Sequence, residues 1–231
     1  MEQSNFWYLQ NIDVTGIFCP DKMMSNPDKH LEKVFKRGEY IYLPDEHSDK
    51  IYFLLRGRVK IGSFGDEDKE IIKAILGQGE VFGEMALIRE GKRKDFAIAM
   101  EETEVCIIHK DDINRLFKER SPLQDFFLNL FGRRILQMES RLEGMVFKNS
   151  RSRIIDFLVE LATKRGERVG FETVVRKFLT HQEIANITAT SRQTVTTVLN
   201  ELRTKEIIKF DRRRLLIRDS ERLEAEVGAR T

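Results

Sequence analysis

Two hydrophobic rhythms divide the chain. Up to about residue 110 the apolar residues come in short runs: EYIYL (39–43), KIYFLL (50–55), RVKIGSF (58–64), EIIKAIL (70–76), FAIAM (96–100) and EVCII (104–108). These runs are rich in Ile, Val, Phe and Tyr and are separated by turn-like stretches, among them PDEHSD, GDED and GQGE. Such runs predict strands, and strands at this spacing predict an antiparallel sandwich or barrel. Ahead of them the pattern is weaker. DKHLEKVF (28–35) reads as a short helix, and the rest of residues 5–35 carries little signal.

Beyond His109 the rhythm becomes helical. DDINRLFKER is one helix. SPLQDFFLNLFGRRILQMESRLEGMVF (121–147) is a second, with Ser121 as N-cap, Pro122 in the first turn and Gln124 completing a capping box. Phe127, Phe131, Ile135, Met138, Leu142 and Met145 follow at spacings of four and three, close to a heptad seam. A helix of about 26 residues reaches ~39 Å, longer than a small domain needs. Either it packs lengthwise on the strand domain or its stripe meets a second copy of itself. The elongated Met- and Leu-bearing seam favours the second. RSRIIDFLVELATKRG (151–166) is an amphipathic helix with Ile154, Ile155, Leu158, Leu161 and Ala162 facing inward. RVGFETVVRKF is extended, and EIIKFDRRRLLIRD reads as two strands with a charged tip from Asp211 to Arg214.

Between these lie two short helices. LTHQEIANI opens with a capping box, Thr180 with Glu183, and TATS interrupts it a few residues later. Ser191 then caps TSRQTVTTVLNELR (190–203), whose apolar residues Val195, Val198, Leu199 and Leu202 define one face. Five of those fourteen residues are Ser or Thr, poor choices for a helix interior. Two short helices, a tight turn and a basic hairpin make a winged helix-turn-helix, whose second helix enters the major groove. The hydroxyls then have a use: short polar side chains bond phosphates without holding the helix off the groove. With the apolar face inward, Gln193, Thr197 and Asn200 point outward, flanked by Arg192, Thr194 and Thr196. Arg192 can pair with guanine O6 and N7, and Gln193 with adenine N6 and N7.

Charge adds weight to this. The net charge of +2 divides into −4 over residues 1–147, +8 over 148–218 and −2 over 219–231, so a basic module follows an acidic one and suggests a polyanion partner. No apolar run approaches the ~20 residues of a membrane span, and MEQSNFWYLQ lacks the pattern of a signal peptide. Only two cysteines are present, Cys19 and Cys106, which fits a reducing cytoplasm rather than a disulfide scaffold.

With these segments in place, the chain resembles transcription regulators of the cyclic-AMP receptor protein/FNR (CRP/FNR) superfamily over nearly its whole length. The resemblance is carried by RGEYIYLPDEHSDKIYFLLRGRVKI, by LGQGEVFGEMAL, by the long helix and by LTHQEIANITATSRQTVTTVLNELR. It implies an α+β architecture in three parts: an antiparallel β-roll effector domain of the cyclic-nucleotide-binding type (1–120), a long dimerisation helix (121–147) and a winged helix-turn-helix DNA-binding domain (148–231). It further implies a cytoplasmic homodimer that binds promoter DNA and meets RNA polymerase. By motif position Arg192, Gln193 and Thr197 correspond to base readers, and Thr180, Gln182, Ser191 and Thr194 to phosphate contacts. Arg212, Arg213 and Arg214 form the wing.

Three departures from the family stand out. The family often has Glu at Gln193 and Arg at Thr197, so the operator should differ from the commonest half-site. Ala189 stands where the turn usually has Gly. In the β-roll, Gly83 and Glu84 match the cyclic-nucleotide motif, but an ungapped count puts Lys94 and Asp95 at the Arg-Ser/Thr pair that grips the phosphate. Met138 and Glu139 take the place of the hydroxyl pair that reads the adenine. A carboxylate repels a cyclic phosphate and Lys lacks the Arg fork, so the expected effector is a small molecule other than cyclic AMP. Arg93 fills the position if the loop shifts by one residue, which keeps a cyclic-nucleotide-responsive regulator as the alternative.

Other chemistry finds less support. Two distant cysteines cannot hold an iron–sulfur cluster of the four-cysteine kind. His30, His47, His109 and His181 show no metal spacing. A cupin-type β-barrel metal enzyme would need a His/Glu cluster on adjacent strands, and no catalytic signature is visible. The expectation is a regulator, not an enzyme.

Overall fold

The computed structural model describes residues 31–65, 69–88, 91–119 and 121–228. The N-terminal stretch read for a signal peptide, Cys19, His30, the start of the 28–35 segment and most of GDED lie outside them. The chain divides into two compact units, with the boundary between Arg133 and Arg134.

The first unit holds eight strands among its described residues: β1 (Leu31–Phe35), β2 (Tyr40–Tyr42), β3 (Lys50–Arg56), β4 (Val59–Phe64), β5 (Glu70–Leu76), β6 (Val81–Phe82), β7 (Phe96–Ala99) and β8 (Thr103–His109). They form two antiparallel four-stranded sheets, ordered β1-β8-β3-β6 and β2-β7-β4-β5. One core lies inside the roll and includes Tyr42, Tyr52, Leu54, Val59, Phe82, Val105 and Ile107. A second includes Ile51, Phe53, Cys106 and Ile108, together with Ile113, Leu123, Phe126 and Phe127 from the helices α1 (Lys110–Glu119) and α2 (Ser121–Phe147). Successive side chains on a strand point to opposite faces. The unbroken apolar run IYFLL therefore feeds both cores at once, Tyr52 and Leu54 to one and Ile51 and Phe53 to the other.

One expectation is corrected here. Residues 31–35 are a strand rather than part of a short helix. The i, i+3, i+4 spacing of Leu31, Val34 and Phe35 mimics a helical face, but only Phe35 is buried, and the segment pairs with β8 from Leu31↔Ile107 to Phe35↔Thr103. At the head of α2, Gln124 Nε2 donates to the Phe117 carbonyl at 2.7 Å, tying the end of α1 to α2; the Ser121 side chain lies outside the described residues.

The second unit contains α3 (Ser150–Arg165), β9 (Gly166–Val169), β10 (Glu172–Arg176), α4 (His181–Thr188), α5 (Arg192–Thr204), β11 (Ile208–Phe210), β12 (Arg214–Ile217) and α6 (Ser220–Gly228). Its four-stranded sheet runs β11-β12-β10-β9. Asn149 caps α3 by accepting from Ser152 N at 2.8 Å. Ile154, Ile155, Leu158 and Leu161 are buried as the pattern required, and Ala162 is half-buried. The sequence pattern did not mark α6. Asp219 starts it by accepting from Arg222 N at 2.9 Å, and Glu226 holds it to the Arg151 guanidinium of α3 and to Lys205. No helix among the described residues is long and apolar enough to cross a membrane.

Candidate nucleic-acid interface

The helix pair α4–α5 is built as its sequence dictates. The Thr180 hydroxyl accepts from Glu183 N at 3.2 Å, and Glu183 Oε2 accepts from Thr180 N at 2.7 Å, completing the capping box. α4 ends at Ala189, which is left-handed at φ 50° and ψ 52°. The turn thus keeps the conformation for which Gly is the ordinary choice, at a cost of ~1–2 kcal/mol for a residue with a Cβ. Arg153 of α3 buttresses it: Nε donates to Thr188 O at 3.0 Å and Nη2 to Ala189 O at 3.1 Å, while Nη1 reaches Lys148 O at 2.9 Å.

α5 starts at the Ser191 cap, whose Oγ accepts from Thr194 N at 3.0 Å. Val195, Val198, Leu199 and Leu202 are buried. Arg192, Gln193 and Thr197 are exposed in the N-terminal half of the helix, Gln193 and Thr197 on the side away from that apolar face and Arg192 at its flank. The hydroxyl-rich stretch divides its labour. The Ser191 and Thr194 hydroxyls bond each other at 2.8 Å. Thr196 Oγ1 bonds both Arg192 O at 2.9 Å and His181 Nδ1 at 2.8 Å, so it joins the two helices. Thr197 stays on the open face. Thr180 and Gln182 are exposed at the start of α4, where Gln182 Nε2 donates to Asn186 Oδ1 at 2.8 Å.

His181 was missed as more than a position in the capping box. Its ring lies 5.8 Å from Phe210 of β11 and bonds Thr196, so it links α4, α5 and the hairpin. Partial burial, with the Arg192 charge adding, holds its pKa below the ordinary value. Nothing in the sequence flagged Arg153. The hairpin tip carries Arg212, Arg213 and Arg214, all exposed, but Arg214 Nε is held by Asp211 Oδ2 at 3.0 Å.

The β-roll places its candidate residues differently from the ungapped count. Gly83 is left-handed, with φ 74°, and leads into a 3-10 turn at Glu84, which is buried. A Cβ at Gly83 would stand 3.0 Å from Lys50 O and 3.1 Å from an Arg93 nitrogen. Arg93 is the inward residue, only 6% exposed. Its guanidinium lies 4.0 Å from the Tyr42 ring centroid and donates to Lys50 O at 2.7 Å. The register explains the shift: Arg93 N donates to Glu46 O and Arg93 O accepts from Asp45 N, which turns Lys94 outward. Lys94 is exposed, and the half-buried Asp95 faces Lys73 Nζ at 3.6 Å. Burial raises the Tyr42 hydroxyl's pKa well above its usual value, with Asp95 adding to the effect and Arg93 opposing it. Met138 and Glu139 are exposed on the part of α2 that belongs to the second unit. No three His, Cys, Asp or Glu residues come together as a metal site among the described residues.

The seam of α2 is also shortened. Phe127 is buried and Phe131 half-buried in the first unit's own core, whereas Ile135, Met138, Leu142 and Met145 are exposed.

A β-roll followed by a winged helix-turn-helix defines a class of DNA-binding protein, and comparison with known proteins agrees. Residues 32–120 match the model of the cyclic nucleotide-binding domain, and residues 152–226 match that of the Crp-like helix-turn-helix domain. The chain is 29% identical over 196 residues to a CRP-like cAMP-activated global transcriptional regulator of Mycobacterium tuberculosis, covering 84% of this chain and 88% of that one. It is 29% identical over 211 residues to the global nitrogen regulator of Nostoc, covering 87% and 95%. A CooA mutant from Carboxydothermus hydrogenoformans shares the fold, with a TM-score of 0.80 at 23% identity over 94% of this chain and 97% of that one. The protein belongs to the CRP/FNR family of transcription regulators, a family of DNA-binding proteins rather than enzymes.

Proposed function

We propose that the protein acts in the cytoplasm as a homodimer that binds promoter DNA sequence-specifically and meets RNA polymerase there. In this reading Arg192, Gln193 and Thr197 read bases, while Thr180, Gln182, Ser191 and Thr194 set the backbone register. The observation that carries it is the set of exposed polar side chains on α5, Gln193 and Thr197 opposite a fully buried apolar face and Arg192 at its flank. Dimerisation uses the exposed stripe of α2.

The β-roll supports control by a small molecule other than cyclic AMP. The Arg93 guanidinium is already stacked on Tyr42 and bonded to Lys50 O, and the Asp95 carboxylate follows two residues later. A second reading, a cyclic-nucleotide effector, is favoured by the burial of Arg93 beside Gly83 and Glu84 and by a relative named as cAMP-activated. The ligand retained by the native protein, identified by mass spectrometry, decides between them.

Selection of binding sites from a random duplex pool at fixed salt tests the DNA reading. Wild type is expected to recover a two-fold symmetric site. Arg192→Ala is expected to cost about 1–3 kcal/mol on that site and to flatten preference at one guanine per half-site. Unchanged stringency in Arg192→Ala would remove α5 from the groove.

A further inference from the structure

The tip of the β11–β12 hairpin is closed by a side chain. Phe210 pairs with Leu215 across the two strands, and between them the chain turns through Asp211, Arg212, Arg213 and Arg214. Tight hairpin turns favour residues with positive φ, chiefly Gly, Asn and Asp. No residue of this tip has one: the non-glycine positive-φ residues described are Asp45, Lys177, Ala189 and Glu206. Asp211 supplies what the turn lacks. Its N–H donates to Arg214 O at 3.0 Å. The returning Arg214 N–H, which a two-residue hairpin would send to the carbonyl of residue 211, donates to Asp211 Oδ1 at 3.0 Å. The Arg213 N–H donates to the same oxygen at 2.7 Å. Side-chain acceptance of neighbouring backbone donors is the ordinary turn chemistry of Asp. Here it lets two bulky residues stand at the tip where Gly would otherwise be needed.

The three arginines consequently differ. Arg214 Nε is spent on Asp211 Oδ2 at 3.0 Å. Arg212 and Arg213 are exposed, and their side chains make no hydrogen bond or ion pair among the described residues. They stand side by side on a turn whose backbone donors are fixed from behind.

We propose that Asp211 is a positioning residue of the DNA interface: its carboxylate builds the turn that presents Arg212 and Arg213 together to the phosphate backbone. The inference rests on the DNA-binding reading above. An exposed arginine alone gives up side-chain and backbone freedom when it meets a phosphate; a pair held on a closed turn gives up less. The backbone N–H of Arg213, with Arg214 adding, holds the Asp211 carboxyl below its ordinary pKa, so the acceptor stays charged across the pH range in which DNA binding is measured.

The proposal reverses the sign that charge alone predicts. A carboxylate among three arginines on a DNA-binding hairpin repels a polyanion, so on charge its removal should tighten binding. If Asp211 builds the turn, its removal loosens the arginine pair and weakens binding. The test uses the full-length protein and the duplex that wild type selects, with affinity read by fluorescence anisotropy between 50 and 200 mM salt. Asp211→Ala is expected to weaken binding about 5- to 30-fold. The slope of log affinity against log salt should flatten by about 2, because one phosphate on each half-site is no longer neutralised, at about 0.9 apiece. Asp211→Asn keeps an oxygen that can accept from both backbone N–H groups and is expected to bind within about threefold of wild type. In an Arg212→Ala, Arg213→Ala background, Asp211→Ala should cause no further loss, because there is no pair left to position.

Tighter or unchanged binding by Asp211→Ala overturns the proposal. So does an equal loss in the double-arginine background, or a loss in Asp211→Asn as large as in Asp211→Ala. Should Asp211→Ala fail to fold, Asp211→Asn and the double-arginine variant give the decision through the salt slope. A wild-type protein that selects no sequence overturns the DNA-binding reading itself, a result separate from any variant.

Discussion

His181 shows how much one side chain can coordinate. It opens α4, bonds Thr196 of α5 and packs on Phe210 of the hairpin. Partial burial lowers its folded pKa, and the Arg192 charge lowers it further. The unfolded chain therefore holds this proton more tightly, with a pKa near 6.5, and protonation favours unfolding. The penalty is absent well above pH 6.5, appears as the pH falls through that value and is complete below the folded pKa. Wild type should accordingly gain more stability between pH 5 and pH 8 than His181→Gln, whose neutral amide can still reach Thr196. Denaturant unfolding of both proteins across that range checks it, and parallel profiles would show that His181 does not titrate in this way. The same scale decides between the ungapped and the one-residue-shifted alignments of the β-roll loop. Counting from Gly83–Glu84 cannot see the Asp45–Arg93 and Glu46–Arg93 backbone bonds that decide which of three successive side chains faces inward.

At the scale of elements, legibility followed burial on one face. β3, β4, β5, β7 and β8 declared themselves because β-branched and aromatic runs sat between turn residues. β6, with two residues, was too short to leave a pattern. β1 carries four exposed residues out of five, so its strand state comes from pairing with β8 and not from its own alternation. The helix-turn-helix was legible almost in full because its caps are local: Thr180 with Glu183 and Ser191 with Thr194 lie within one turn of each other. What supports it from a distance, Arg153, was not, since nothing in RSRII marks which arginine will reach Thr188 and Ala189. The turn itself allows a measurement. Ala189 holds φ 50° with an exposed side chain, so Ala189→Gly removes strain of ~1–2 kcal/mol against a loss of roughly 0.5–1 kcal/mol from the freer unfolded chain. The variant should be more stable by about 0.5–1 kcal/mol, raising the midpoint of the second unit by a few degrees. A lower midpoint in thermal unfolding would mean that the Ala189 Cβ contributes packing which outweighs the strain.

For the whole molecule, the question is what covers α2. Its 27 residues extend about 40 Å, and the first unit uses only the start: Phe127 is 2% exposed and belongs to the core of that unit. Further along, Ile135, Met138, Leu142 and Met145 continue the stripe at spacings of three and four and are between 51% and 70% exposed in the single chain. A monomer rarely leaves so continuous an apolar stripe in water. Two-fold symmetry lets one such stripe cover another like it, and paired recognition helices then suit a palindromic site. Lysines at Met138 and Leu142 would put four charges into the paired seam without touching either unit's buried core. Met138→Lys, Leu142→Lys should therefore be monomeric at micromolar concentration in light scattering, with unfolding close to wild type, and should lose most of its affinity for a symmetric duplex while keeping weak binding to a half-site. Phe127→Lys should act differently: it burdens the first unit's core and lowers stability by several kcal/mol. If wild type is itself monomeric at that concentration and stays so on DNA, the stripe does not serve dimerisation. If instead the double lysine variant stays dimeric, the two copies meet through another surface.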